Sequence, residues 1–195
     1  MTPKNKKLII VTSLMTLLPI PVGLLLWNQF PETMAIHWGI TGQADGFASV
    51  PTAVFLMPTI MLLTHLFCIL VCFLDPGNRN RNRKILHIVL WTVPVICNLS
   101  CCGIYALTLG VEFSPVAWTL VPMGILFVII GNYMPRIRHN YSFGIRTSWT
   151  LASETVWRKT HRLGGILFVI CGTVMVLQAI FPSLAMVTLS VGLLI

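Results

Sequence analysis

The chain has 195 residues, of which 56% are hydrophobic and only 9% charged, with a formal charge of +8. Soluble domains carry about a quarter charged residues. Thirteen Lys/Arg and five Asp/Glu cannot cover a water-facing surface, so an ordinary cytosolic enzyme, a disordered chain and a collagen-like chain are all excluded. What remains is an all-α, polytopic transmembrane helix bundle.

Charges punctuate the sequence, so the uncharged runs can be read off directly. They are Leu8 to Pro31, Gly46 to Leu74, Ile85 to Val111, Phe113 to Pro135 and Leu163 to Ile195. About 20 residues suffice to cross a hydrocarbon core. The first four runs supply one span each. The first follows a basic N-terminus as a signal peptide would, but no small-residue cleavage site follows it before Trp27, so it reads as a retained span. The fifth run holds two spans if it turns at Pro182. Its second piece, Leu184 to Ile195, is short for a span, so either that helix is short or the native chain continues beyond residue 195. The expected total is about six spans.

Every Lys and Arg falls on alternate connections. Lys4, Lys6 and Lys7 precede the first span; Arg79, Arg81, Arg83 and Lys84 follow the second; Arg136, Arg138, Arg146, Arg158, Lys159 and Arg162 follow the fourth. The intervening connections hold Glu32, Asp45 and Glu112 and no base. By the positive-inside rule the N-terminus is cytoplasmic. The positive charge therefore sets topology and favours membrane lipids with anionic headgroups, and direct nucleic-acid binding is not expected. Division near residue 130 is expected, into a membrane domain 1–130 with an outer loop 28–50 and a region 131–195 with an inner loop 134–162 and the last two spans.

The outer loop contains His37, Trp38, Gly42, Asp45 and Phe47. His37 and Asp45 are a candidate binding pair or half of a metal site, or else a loop anchor and a turn-forming Asx residue. With Glu32 the one further ligand nearby, no metal and no cofactor are expected. Trp38 and Phe47 fit either the headgroup region or a contact with protein or peptide. In the inner loop, Pro135 stops the fourth span, Gly144 allows a bend, and Ser153 caps a helix with Glu154 in its first turn. That helix brings Trp157, His161 and Gly164–Gly165 to one stripe flanked by Arg158, Lys159 and Arg162. It reads as a short amphipathic helix at the inner leaflet boundary, either a lipid-facing collar or a docking surface. Within the spans, His65 and Asn98 are polar, and Pro19, Pro21, Pro58, Pro94 and Pro122 break helices. They either bond neighbouring helices or line a transport cavity. Six cysteines at 68, 72, 97, 101, 102 and 171 match no zinc or disulfide spacing and read as small packing residues.

The inner-loop string Gly131, Asn132, Tyr133, Pro135, Ile137, Asn140, Gly144, Ile145, Arg146, Thr147, Trp149, Thr150, Leu151, Glu154, Trp157–Arg162, Gly164 and Gly165 resembles the signature of the SdpI family of bacterial immunity membrane proteins. Pro31, Ile36, His37, Trp38, Gly42, Asp45 and Phe47 resemble a domain of unknown function often fused to it. Ala35, Val50, His139 and Ser148 depart from those patterns. The resemblance implies a multi-pass protein of the bacterial cell membrane that is not an enzyme. It implies protection against a secreted, membrane-active antibacterial peptide toxin, and signalling by holding a cytoplasmic transcriptional repressor at the membrane. On that implication His37, Trp38, Gly42, Asp45 and Phe47 meet toxin. Asn132, Arg138, Arg146, Trp149, Glu154, Trp157, Arg158, His161 and Arg162 serve the inner partner. A small transporter or lipid-handling protein is the alternative, and a membrane enzyme built on His37/Asp45 or Glu154/His161 lacks an adjacent nucleophile.

Overall fold

The computed structural model describes residues 3–39, 41–74, 83–141 and 143–181. In chain order these form α1 (Pro3–Leu17), α2 (Pro19–Leu25), β1 (Thr33–Trp38), β2 (Ala44–Ser49), a π-helical turn (Thr52–Leu56), α3 (Met57–Leu74), α4 (Arg83–Thr108), α5 (Pro115–Tyr133), α6 (Ser148–Ala152) and α7 (Glu154–Ile180). Five segments among them are long and apolar enough to cross a membrane: Lys6–Leu25, Thr52–Leu74, Leu86–Thr108, Pro115–Arg136 and Glu154–Ile180. They are the first five of the expected spans, and the sixth lies outside the described residues. The protein is a multi-pass helical membrane protein.

Two compact units are present, residues 1–70 with 87–116, and residues 71–86 with 117–195. In the first, Met34, Ala53, Val54, Cys97, Cys101, Ile104 and Tyr105 form a buried core, with Val22, Leu26, Trp27 and Phe30 packed on it. Prolines shape this unit. Pro19 has no N–H to give the Met15 carbonyl, so α1 and α2 break there and α2 starts on the proline. The Met15 carbonyl instead accepts from the Leu18 N–H at 3.3 Å and from the Asn98 side-chain amide at 2.7 Å. The Tyr105 hydroxyl donates to the Pro19 carbonyl at 3.2 Å, and the Cys97 thiol lies 3.4 Å from the Thr16 carbonyl. Gly23 permits this approach: a Cβ there would stand 2.8 Å from Val54 and 2.9 Å from the Tyr105 hydroxyl. The polar span residues thus bond the backbone of neighbouring helices, as lipid demands. His65 reaches a side chain instead, its Nε2 3.1 Å from the Thr12 hydroxyl, and its buried Nδ1 has no partner among the described residues.

In the second unit α5 and α7 run antiparallel in close contact. Gly124 faces Gly172 and Gly131 faces Gly165, seven residues apart on each helix. A Cβ on Gly131 would stand 2.6 Å from the Gly165 carbonyl. With no hydrophobic drive between helices in lipid, small residues at the interface let backbones approach and gain dispersion. Phe127 and Phe168 stack nearby, ring centroids 5.1 Å apart.

Two expectations are corrected. The outer loop, expected only as a long connection, holds a two-stranded antiparallel sheet. And the helix capped at Ser153 is not a separate interfacial helix, because α7 continues unbroken from Glu154 to Ile180. Residues 154–162, expected in the inner loop, are its first turns. No proline or glycine stands between Glu154 and Leu163 to end it, and the glycines at 164 and 165 are spent on packing.

Candidate functional site

The outer hairpin is built by alternation. Met34, Ile36 and Trp38 face the core of the first unit, while Thr33, Ala35 and His37 face outward. The register pairs Thr33 with Ser49, Met34 with Ala48, Ala35 with Phe47 and Trp38 with Ala44. A local irregularity in the middle sets His37 against Gly46, where the regular register would set it against Asp45. Gly46 is needed there, since a Cβ would come within 2.8 Å of His37 Cβ. Gly42 turns the chain at φ +80°, a left-handed conformation that glycine adopts without a steric penalty. The chain is tied across the turn by Gly39 N–H donating to the Gln43 carbonyl at 2.9 Å.

On the outward face His37 Nδ1 meets Asp45 Oδ1 at 2.5 Å, with the two side chains 72% and 54% exposed. Phe47 lies beside them, 64% exposed. The sheet therefore gathers four of the five expected outer residues, His37, Asp45 and Phe47 on the outer face and Trp38 half-buried on the core face, while Gly42 makes the turn. Among the described residues no set of three His, Cys, Asp or Glu is placed to hold a metal ion.

The inner segment between α5 and α7 folds tightly onto the start of α7. Pro135 closes α5 in a single 3-10 turn, Met134–Arg136. Thr147 caps α6 through a reciprocal pair of bonds with Thr150, and the Thr150 hydroxyl donates to the Ile145 carbonyl at 2.9 Å. Asn140 holds a turn by accepting from Phe143 N–H at 2.6 Å and donating to the Arg138 carbonyl at 2.8 Å. Ser153 caps α7, and Glu154 sits in its first turn, both as the sequence indicated.

Trp157 and His161 pin this segment. Trp157 Nε1 donates to the Ile137 carbonyl at 2.8 Å. The Ile145 N–H donates to His161 Nε2 at 3.1 Å, which makes Nε2 an acceptor, so the ring proton sits on Nδ1 and is donated to the Trp157 carbonyl at 2.8 Å. The two rings stack, centroids 4.0 Å apart, and both residues are buried. Gly144 lies against the His161 ring at φ +95°, where a Cβ would collide with Nε2. His139 packs on Trp157 and donates to the Leu151 carbonyl at 2.9 Å.

The expected inner-partner residues separate into two groups. Trp157 and His161 are interior braces that a partner would not touch. Asn132, Arg138, Arg146, Trp149, Glu154, Arg158 and Arg162 are exposed. Of these, Asn132 bonds its own helix at the Val128 carbonyl and Arg146 donates to the Tyr141 carbonyl. Arg138, Arg158 and Arg162 enter no ion pair among the described residues. Asn140, Gly144 and Thr150, which hold the segment's shape, were not singled out as site residues, although the glycine and the Thr-x-x-Thr spacing mark a bend and a cap.

Comparison with known proteins bears out the resemblance. Residues 136–195 match the SdpI/YfhL protein family, and residues 14–62 match the domain of unknown function DUF1648. The chain is 24% identical over 174 residues to the immunity protein SdpI of Bacillus subtilis (strain 168), an alignment covering 89% of this chain and 82% of that protein. No solved structure matches the chain.

Proposed function

We propose that this SdpI-family chain, a DUF1648 region followed by an SdpI region, is a membrane immunity protein that protects its cell from a secreted, membrane-active antibacterial peptide. The observation that carries the reading is the alignment with an immunity protein over 89% of the chain. The outward face of the hairpin, with His37, Asp45 and Phe47, is the surface that meets the peptide. The positive-inside rule assigns it to the outer side of the membrane. The exposed cations Arg138, Arg158 and Arg162, with Trp149, form the cytoplasmic surface on which a transcriptional repressor is held, braced from beneath by Trp157 and His161. No reacting group stands beside either surface in this reading, which is one of binding and not of catalysis. A transport reading draws less support, because Asn98 and His65 find helix-bonding roles and the Pro19 break is satisfied by Asn98.

The test is expression of the full chain in a host sensitive to such a peptide. Protection is expected, with loss in Asp45→Ala at unchanged protein level. A host that stays fully sensitive to every membrane-active peptide tried would refute the reading.

A further inference from the structure

The hairpin has a property that packing alone does not call for. Among the described residues no third strand pairs with either of its edges. Exposed edges are normally blunted by lysine, proline or an inward charge, because their free backbone groups recruit other chains. Thr33–Trp38 and Ala44–Ser49 contain no lysine, arginine or proline; the one charge on β2 is Asp45, and the one irregularity is where His37 stands against Gly46. Of the two strands β2 is the more open, with Ala44, Asp45, Phe47 and Ser49 exposed, against Thr33 and His37 on β1. Along its outer face Phe47 and Asp45 stand two residues apart, the spacing at which a neighbouring strand presents successive side chains on one side.

Charge specifies what would pair. Within the first unit, the connections around the hairpin and after α4 carry Glu32, Asp45 and Glu112, all exposed, and not one Lys or Arg. Only Asp45 is paired, and its partner His37 is itself largely in water. An approaching chain meets a negative surface.

We propose that the free edge of β2 takes an extended cationic peptide as a third strand, an apolar side chain lying over Phe47 and a basic one, two residues away, beside Asp45. Backbone hydrogen bonds would supply affinity and the two side chains specificity, as in strand addition generally. This rests on the reading of the hairpin as the peptide-meeting surface and states how it reads its ligand.

The test uses the full chain in phosphatidylcholine nanodiscs. The probe is a short synthetic peptide of repeating Val-Thr-Lys-Thr, isotope-labelled at its carbonyls. One comparison peptide is N-methylated at alternate residues, and a second has glutamate for lysine. Binding is expected with the labelled carbonyls shifted into the infrared band of paired strands. Methylation removes ladder donors without touching the protein, and should weaken binding on the order of a hundredfold. The glutamate peptide should bind roughly fivefold more weakly or worse, a preference that Asp45→Asn abolishes. Equal binding of the methylated peptide, no strand band, or a lysine preference that survives Asp45→Asn overturns the proposal. So does failure of the probe to bind while a cross-link between hairpins traps a dimer, which would assign the edge to a second copy. Loss of host protection with strand pairing intact counts against the immunity reading alone.

Discussion

Replacing His161 by phenylalanine removes both of its hydrogen bonds, of which only one leaves a partner unpaired. Phenylalanine keeps an aromatic ring against Trp157, where imidazole stacks at 4.0 Å in a fully buried site. What disappears is the Nε2 acceptor for the Ile145 N–H. The Trp157 carbonyl keeps its place in the α7 ladder, so the Ile145 donor alone is orphaned. An unsatisfied buried donor costs about 1 to 3 kcal/mol; this one is half-buried, so that range is the ceiling and the population of an open inner segment rises by at most roughly 5- to 150-fold. The readout is amide hydrogen exchange of the full chain in detergent micelles. Exchange should accelerate by that factor over residues 143–151 and stay unchanged in the middle of α5. If residues 143–151 exchange at the wild-type rate, His161 does not hold the segment and the bracing role of the buried pair is wrong. The same geometry gives a sign for pH: protonating His161 fills the lone pair that accepts from Ile145, so the bond is available only to the neutral ring.

Three further outcomes are expected. Gly131→Ala places a methyl 2.6 Å from the Gly165 carbonyl and 2.8 Å from Val169, so α5 and α7 must separate; a loss of about 1 to 3 kcal/mol is expected in unfolding from detergent, and stability equal to wild type would contradict the close glycine contact. Asn98→Leu leaves the Met15 carbonyl with only the longer bond from the Leu18 N–H, for a loss of about 0.6 to 1.7 kcal/mol by the same measurement; an unchanged or more stable variant would show that the Asn98 bond adds nothing. Asp45→Ala breaks a hydrogen-bonded pair that is mostly in water, so stability should change by less than about 1 kcal/mol while protection of a sensitive host falls; a large stability loss would mean that the pair serves the hairpin's fold and not its ligand.

The spans were legible because lipid leaves so little freedom: charge-free runs longer than a bilayer is thick can hardly be anything but helices. The cap at Ser153 and the stop at Pro135 were legible for equally local reasons. The hairpin was not read, although Thr33–Trp38 alternates apolar and polar side chains and Gly42 marks the turn. Its signal is short and sits inside a segment whose aromatics and glycines also fit an interfacial loop. The fate of Trp157 and His161 depended on something no local pattern carries. Both lie on the stripe the helical period assigned to them, but whether that stripe faces a partner or the protein's own chain is decided by residues 137 and 145, which reach it only after folding.

The same distinction governs how the charged residues should be weighed. Arg146 and Arg158 look alike in the sequence, yet Arg146 spends its guanidinium on the Tyr141 carbonyl of its own loop. Arg158 and Arg162, one turn apart on α7, have no acidic partner among the described residues. A surface built to bind needs cations held in place but left unneutralised, and a rigid helix turn meets that need better than a loop residue already engaged. Charge removal at Arg158 and Arg162 should therefore release a bound cytoplasmic partner with the segment's hydrogen exchange unchanged, whereas Arg146→Gln should loosen the loop first. If Arg146→Gln releases the partner with exchange unaltered, the binding surface lies on the loop and not on the helix.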